Sequence, residues 1–293
     1  MSEPASHLRI GVFGVGAIGQ MVARHIDEGR LNAILSGLAD EDGPKAASFA
    51  ASLRTATPIF DMAGLLAHSD WIVEAASQAA LPVLIPAVLA QRKNVLVMSV
   101  GGLLAREDWF REAQRCGCRI LFPSGAIAGL DGLRSACVGQ MESVTLTSRK
   151  PVRALTGTRY VAERGIQLAS LTEDAVIFDG LAADAARAFP ATSNVAAALA
   201  LTVGDRCEVR VRIVASPASS RNVHEIEARG EFGSLRIVIQ NVPSETNPKT
   251  SKLAALSALA TLASIADSPL ASKPSSVQRA ATPIQSIPAP ASK

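Results

Sequence analysis

Aromatic side chains are scarce in this chain of 293 residues, and its positive and negative charges nearly balance. Phenylalanine, tyrosine and tryptophan make up 4% of the sequence, which leaves little material for stacking on bases. The net charge is only +3, and no run of lysine and arginine forms a basic stripe. Both observations argue against a nucleic-acid partner.

Cysteines are also few, and their spacing does not suit a metal site. The closest pair, Cys116 and Cys118, is a C-x-C and not the C-x-x-C of metal-binding loops. The sequence therefore predicts a reduced, cytoplasmic protein with no disulfide framework and no bound metal.

No apolar run suggests a membrane segment. The stretch "LPVLIPAVLA" is too short to span a bilayer and contains two prolines. The first residues lack the layout of a signal peptide, because their apolar run ends at glycines. With 48% hydrophobic residues, we expect a globular protein of one large or two ordinary domains that contacts no membrane.

Short apolar runs alternate with helical patterns over the first 120 or so residues. Runs such as "LRIGVFGVG", "DWIVEAAS" and "NVLVMSVGGL" are typical of buried strands, and "AIGQMVARHIDEG" is typical of a helix that ends before a glycine. This β-α-β alternation predicts an α/β fold with a parallel sheet covered by helices on both faces, which we place at residues 1–123.

The pattern of apolar and polar residues changes in the second half of the chain. "MESVTLTSRKP" and "CEVRVRIVAS" alternate as half-buried strands, and "HEIEARGEFGSLRIVIQNV" predicts two strands joined by a tight turn. We therefore expect a second, α+β domain at 124–247 with a mixed or antiparallel sheet. A last helix at 248–266 is expected to pack back on the first domain. The Pro-, Ser- and Ala-rich residues 267–293 are expected to be disordered.

A glycine-rich turn follows the first predicted strand. In "GVGAIG", Gly14, Gly16 and Gly19 have G-x-G-x-x-G spacing, with Ala17 and Ile18 between them, and a helix follows. Such glycines permit the tight turn, the approach of a pyrophosphate and close packing of helix on strand. The context predicts a Rossmann-type, doubly wound domain that binds a dinucleotide.

The second predicted strand ends in acids. Asp40 is placed to accept hydrogen bonds from the ribose hydroxyls, and "DED" would repel a 2′-phosphate, so NAD is favoured over NADP. Small residues at later strand ends are further candidates for cofactor contact: Ala75, Ala76, Ser77 and Ser99.

Several motifs in order resemble those of the L-aspartate dehydrogenase family. They include "PSGAIAGLD", "SNVAAALAL", "NVHEIEARGEFG" and "NPKTSKLAALSALATL", and the likeness extends from about residue 8 to 266. The resemblance implies a two-domain, NAD(P)-dependent amino-acid dehydrogenase, usually a homodimer, that oxidises L-aspartate. It also implies that His224 is the active-site histidine and that Ala126 and Asn194 contact the cofactor.

The reaction needs a base near the reacting carbon, because the amine must be neutral before hydride leaves and water must then add to the imine. Histidine suits this role without large tuning of its pKa. By strand period Asn222 lies on the same side as His224 and is a candidate to orient its ring or contact the substrate, whereas Glu225 points to the opposite face.

A dicarboxylate substrate requires cationic or multi-donor groups in the pocket. The candidates lie in "TSRKP" and "NPKTS", the second of which precedes the last predicted helix: Arg149, Lys150, Lys249, Thr250 and Ser251.

Three alternatives remain open on the sequence alone. The chain is compatible with another two-domain oxidoreductase, homoserine dehydrogenase-like or dihydrodipicolinate reductase-like. It is also compatible with an NAD-binding sensor without catalysis, although a sensor needs no proton-transfer group. The tail at 267–293 is either a partner-docking segment or a mere extension.

Overall fold

The computed structural model describes residues 7–190, 193–244 and 251–267. The predicted disordered tail at 267–293 lies outside these residues except for Asp267, and the predicted ligands Lys249 and Thr250 also lie outside them. Two five-stranded sheets organise the chain. Within the described residues no helix is long and apolar enough to cross a membrane, and no cluster of His, Cys, Asp or Glu has the makings of a metal site.

The first sheet is entirely parallel, with the strand order β2-β1-β3-β4-β5. A bridge between Leu38 and Ile59 extends it beyond β2. Its strands are β1 (Leu8–Phe13), β2 (Ala33–Ala39), β3 (Trp71–Glu74), β4 (Asn94–Val97) and β5 (Ile120–Leu121). Its helices are α1 (Ala17–Asp27), α2 (Gly43–Ala50), α3 (Met62–His68), α4 (Leu81–Ala90) and α5 (Glu107–Cys116).

Burial on both faces explains why these strands are continuous apolar runs. Ile10 and Val12 on β1 and Ile72 and Val73 on β3 are completely buried, as parallel strands between helical layers must be. With the Ile59 bridge counted as an edge position, the strand order is that of a dinucleotide-binding sheet. The prediction of a Rossmann-type, doubly wound sheet is confirmed.

The second sheet has the order β10-β9-β6-β8-β7, in which β6 and β8 are parallel and the other pairs antiparallel. The prediction of a second, mixed sheet is therefore confirmed. Its strands are β6 (Met141–Pro151), β7 (Ala175–Leu181), β8 (Val209–Ser216), β9 (Val223–Gly230) and β10 (Gly233–Gln240). Its helices are α6 (Leu130–Ala136), α7 (Val152–Leu155), α8 (Arg159–Glu163), α9 (Ala182–Ala188) and α10 (Asn194–Val203).

Strand β7 has no counterpart in the elements expected from the sequence. It lies at the edge of the sheet, and its register against β8 shifts between Val176 and Phe178. The shift breaks the alternation of apolar and polar residues on which a strand prediction depends.

The last helix, α11 (Lys252–Ala266), carries the chain back to the first sheet. It packs against α1, and Ala258, Leu262 and Ile265 share a core with the strands of that sheet. Ser251 caps the helix by accepting a hydrogen bond from the Leu253 N–H.

Candidate active site

The three glycines of the glycine-rich turn differ in the space around them. Gly14 has a positive φ of 99°, and a Cβ there would lie 2.5 Å from the Ala76 nitrogen. A Cβ on Gly19 would lie 2.0 Å from the Gly14 carbonyl oxygen. By contrast, a Cβ on Gly16 would meet no atom nearer than 3.8 Å. Gly14 and Gly19 are thus required by the protein's own packing, whereas Gly16 keeps space open at the first turn of α1.

This open space has the properties that a phosphate group needs. Gly16 is the N-cap residue of α1, and no side chain caps the helix there, so its first N–H groups are available to an anion. Alongside runs a groove of about 210 Å³ at the carboxyl ends of the strands. Its lining includes Gly14, Gly16, Asp40, Ala75, Ala76 and Ser77. These residues therefore fit a dinucleotide, as the motif predicts.

Asp40 binds the glycine-rich turn as well as facing the groove. One of its carboxylate oxygens accepts the Val15 N–H at 2.5 Å and the Lys45 ammonium at 3.1 Å, and the other accepts the Asp42 N–H. Burial raises the pKa of Asp40, but these hydrogen bonds and the Lys45 charge outweigh it, and the pKa is lowered. The acidic "DED" cluster is therefore partly neutralised by a lysine that sequence reasoning missed.

Glu74 joins the ends of β3 and β4 beneath the same edge. Its side chain is completely buried and accepts hydrogen bonds from the Ala76 N–H, the Ser99 N–H and the Ser99 hydroxyl, each at 2.9 Å. Burial raises the pKa of Glu74, and the hydrogen bonds only oppose this effect. Ser99, expected at the cofactor, thus makes its hydrogen bonds to a buried carboxyl.

A second cavity, of about 140 Å³, lies between the nucleotide turn and the second sheet. Side chains from both halves of the chain meet there. The lining comprises Ile18, Met98, Val100, Pro123, Gly125, Ala126, Lys150, Asn194, Val195, Asn222, His224, Ser251 and Ala254. Seven residues proposed from separate motifs, including His224 and Lys150, are therefore brought together.

The second sheet supplies the polar wall of this cavity. On the core-facing side of β6, Val144 and Leu146 are followed by Ser148 and Lys150. On the neighbouring β9, Ile226 is followed toward the cavity by His224. Both rows change from apolar to polar at the same end of the sheet, because adjacent strands in register carry equivalent positions side by side.

His224 is held by a residue that the sequence analysis did not single out. Its Nδ1 lies 2.9 Å from the Ser148 hydroxyl, directly opposite in the β6–β9 register. The side chain is only 3% exposed. Burial, and then the charge of Lys150, lower the pKa of His224 to about 3. The expectation that this histidine keeps its pKa near neutrality is therefore wrong.

Lys150 is the other titratable group that lines the cavity. It is 5% exposed, and within the described residues no carboxylate pairs with it. Burial lowers the pKa of Lys150 to about 8. The cavity thus contains a lysine whose protonation changes near neutral pH, beside an imidazole that stays neutral.

Asn222 and Arg149 behave differently from expectation, whereas Glu225 does not. Asn222 lines the cavity but does not orient the His224 ring; its buried Oδ1 has no hydrogen-bond partner. Arg149 points to the other face of the sheet, where it pairs with Asp174 at 2.6 Å, so the structure does not bring it to the cavity. Glu225 also points there and pairs with Arg236, as its strand position predicts.

Asn194 joins the two halves at the first residue of α10. Its side-chain oxygen, Oδ1, accepts the Gly101 N–H at 3.1 Å and the Gln78 side-chain N–H at 3.4 Å. Those contacts leave its NH₂ group as the donor that faces the cavity.

Ala126 and Ser251 are joined through Asn241. The Asn241 amide donates to the Ala126 carbonyl oxygen at 3.0 Å, and its oxygen accepts from the Ser251 hydroxyl. Because that hydroxyl also caps α11, its hydrogen bonds are already used within the protein. Ser251 therefore shapes the cavity wall between the two halves.

Comparison with known proteins decides the family. The family described as "Aspartate dehydrogenase, C-terminal" matches residues 131–265, and "Homoserine dehydrogenase, NAD binding domain" matches residues 14–123. An L-aspartate dehydrogenase of Methanosarcina barkeri is 43% identical over 254 residues, which cover 85% of this chain and 94% of that protein. The chain belongs to the aspartate dehydrogenase family.

Other relatives agree with this membership. L-aspartate dehydrogenase 3 of Bordetella bronchiseptica is 38% identical over 85% of this chain and 92% of its own. The crystal structure of aspartate dehydrogenase from Thermotoga maritima has a TM-score of 0.68 at 25% identity, covering 90% of this chain and 98% of that one. As an aspartate dehydrogenase family member, the chain is an oxidoreductase with an NAD-binding first half.

More distant structures share the fold alone. The myo-inositol dehydrogenase of Lactobacillus casei, solved with NAD(H) and myo-inositol, has a TM-score of 0.57 at 12% identity, covering 92% of this chain and 88% of that one. This chain therefore shares its fold with a dehydrogenase of a different substrate, and the fold alone does not decide the substrate.

Proposed function

We propose that the protein oxidises L-aspartate with NAD to iminoaspartate, which hydrolyses to oxaloacetate and ammonia, and that it also runs the reverse reductive amination. The observation that carries this proposal is the cavity in which Lys150 and His224 lie beside the nucleotide turn. Relatives named L-aspartate dehydrogenase support the choice of substrate.

The charge of the cavity suits an acidic amino acid. Lys150 is the cation in its wall, and none of the described lining residues is an aspartate or glutamate. A carboxylate in this space gains from a buried positive charge in a region of low dielectric constant. Lys249 and Thr250, which lie outside the described residues, stay proposed contributors to the second carboxylate contact, whereas the Ser251 hydroxyl already donates to Asn241 and accepts from the Leu253 N–H.

NAD supplies the hydride acceptor, and the chain's residues bind and orient it. The first turn of α1, with Gly14, Gly16 and Gly19, would hold the pyrophosphate, and Asp40 the adenosine ribose. Asp40 favours NAD, but Lys45 beside it supplies a positive charge for a 2′-phosphate, so we propose NAD as the preferred cofactor and NADP as a second one.

We assign the water-addition half of the reaction to His224. Because Ser148 engages Nδ1, Nε2 is left as the ring nitrogen that exchanges a proton with the reacting centre. A positioned group of this kind contributes on the order of 10² to 10⁴ in rate. We also propose, from the family likeness, a cytoplasmic homodimer.

The test is a substrate panel. The purified protein, given NAD or NADP, is assayed for NADH or NADPH formation with L- and D-aspartate, other amino acids, L-homoserine and L-malate. We expect turnover of L-aspartate above all others, with NAD preferred. If L-aspartate is not oxidised with either cofactor, the proposal is refuted. Preferred oxidation of L-homoserine would instead favour a homoserine dehydrogenase activity, which is the name of the family that residues 14–123 match.

A further inference from the structure

Attraction of a substrate carboxylate does not by itself explain why a lysine is buried at position 150. It is two residues along β6 from Ser148, on the same core-facing row, and Ser148 is directly opposite His224. The ammonium of a lysine costs free energy when it is buried without a carboxylate. A protein that needed only a fixed positive charge in this wall would be better served by an arginine, which stays protonated.

The groups around Lys150 do not compensate its charge. On β6 itself, Arg149 faces the other side of the sheet and is paired with Asp174. On β9, Glu225 also faces that other side, and His224 is the titratable neighbour on the cavity side. On β8, Lys150 is opposite Ala215, which is apolar and buried. Within the described residues, Lys150 and His224 therefore determine the protonation of this cavity between them.

We propose that the amine of Lys150 is the base that takes the proton from the substrate's ammonium group before hydride leaves. This inference rests on the proposed oxidation of L-aspartate. One N–H bond of the substrate ammonium breaks, its electron pair stays on the substrate nitrogen, and one N–H bond forms at Nζ of Lys150. The substrate becomes a dianion with a neutral amine, and Lys150 becomes a cation beside its carboxylates.

The two titratable residues differ in their fitness for this step. With its pKa lowered to about 8, Lys150 has a free-amine fraction near neutral pH that can accept a proton. His224, with its pKa lowered to about 3, is a weak acceptor for that proton. The lysine proton then returns to solvent, and Lys150 is a free amine for the next substrate.

The variants Lys150→Arg and Lys150→Met distinguish whether Lys150 acts as a base or only binds a substrate carboxylate. Arginine keeps the positive charge but does not deprotonate in a protein. If Lys150 is the base, kcat for L-aspartate falls by about 10² to 10⁴ in both variants, while KM rises more in Lys150→Met than in Lys150→Arg. Arg212→Met, which removes an exposed cation from the other face of the sheet, is the control for general effects of charge.

Two further measurements make the assignment specific. In the wild type, kcat/KM should rise with pH through an apparent pKa near 8, and this limb should be absent from Lys150→Arg. In Lys150→Ala, added ethylamine should restore part of the turnover. Independently of turnover, the rate at which acetic anhydride labels Lys150 should rise through the same pKa.

The possible results distinguish this inference from the proposed function. No turnover of L-aspartate by the wild type overturns both. Wild-type turnover together with a Lys150→Arg variant that keeps kcat within threefold overturns the base and leaves the dehydrogenase standing. Unaltered NADH fluorescence on binding and an unaltered melting curve for Lys150→Arg show that a loss of kcat is not a loss of folding.

Discussion

The hydroxyl of Ser148 lies 2.9 Å from Nδ1 of His224, across two antiparallel strands in register. This contact fixes which ring nitrogen remains for the cavity, and it is the hydrogen bond that holds the ring in the described structure. The two residues are 76 positions apart in the chain, so their partnership is a property of strand pairing.

We expect His224→Ala to lose turnover by about 10² to 10⁴ while it binds NADH as the wild type does. The physical reason is that, in the proposed reaction, the imidazole exchanges protons at the reacting centre, and it is not among the residues that line the groove beside Gly14, Gly16 and Asp40. Steady-state kinetics and a fluorescence titration with NADH check the two halves of this prediction. A folded variant with wild-type turnover would remove His224 from the mechanism.

Ser148→Ala should reduce turnover less, by about 3- to 10-fold, because one neutral hydrogen bond to the ring is lost. Ser148→Thr keeps the hydroxyl and should recover part of the activity. In the double variant with His224→Ala, the serine change should have no further effect, because it acts through the histidine. Additive losses in the double variant would contradict that coupling.

Gly16→Ala and Gly19→Ala should fail in different ways. A Cβ on Gly16 has open space in the protein, so the melting temperature should stay at the wild-type value while NADH binding weakens at least about tenfold, through the lost approach of the phosphate. A Cβ on Gly19 would clash with the Gly14 carbonyl and should lower the free energy of unfolding by about 1 to 3 kcal/mol. Thermal unfolding and NADH titration distinguish the two, and similar behaviour of both variants would refute this account.

Asp40→Asn should raise the ratio of NADP to NAD activity, by roughly tenfold. The variant removes the negative charge that faces the ribose but leaves Lys45, which is then free to meet a 2′-phosphate. The measurement is kcat/KM for each cofactor at a fixed aspartate concentration. The matched control is Glu41→Gln, since Glu41 is an exposed neighbour in the same acidic cluster. An equal change in both variants would mean that Asp40 does not determine the cofactor preference.

Lys150→Met should make the protein more stable at neutral pH, by about 3 kcal/mol at most. The pKa of Lys150 is lowered from 10.5 to about 8, so the folded state binds this proton less tightly than the unfolded state. Wild-type stability therefore rises with pH between about 8 and 10.5, and the cost of the charged lysine is fully present below pH 8. Denaturant unfolding of both proteins at pH 7 and pH 10 measures the gap, which should shrink at the higher pH.

Much of the fold and part of the site could be predicted from local patterns. The parallel and the mixed sheet follow from runs of period 2 and 3.6, and the nucleotide turn follows from G-x-G-x-x-G between a strand and a helix. These signals lie within stretches of ten to twenty residues, so the sequence shows them directly. The edge strand Ala175–Leu181 was not predicted because a register shift breaks its alternation of apolar and polar residues.

The chain's own sequence determined the two-sheet architecture, the dinucleotide turn and the family to which it belongs. Only the tertiary structure decided that Lys45 neutralises Asp40, that Arg149 faces away from the cavity, and that Ser148 rather than Asn222 holds His224. It also decided the pKa values of Lys150 and His224, because both depend on burial and on charges brought close by pairing of distant strands. Residue types and their spacing carry the local conformation, whereas solvation and charge environment exist only once the strands have met.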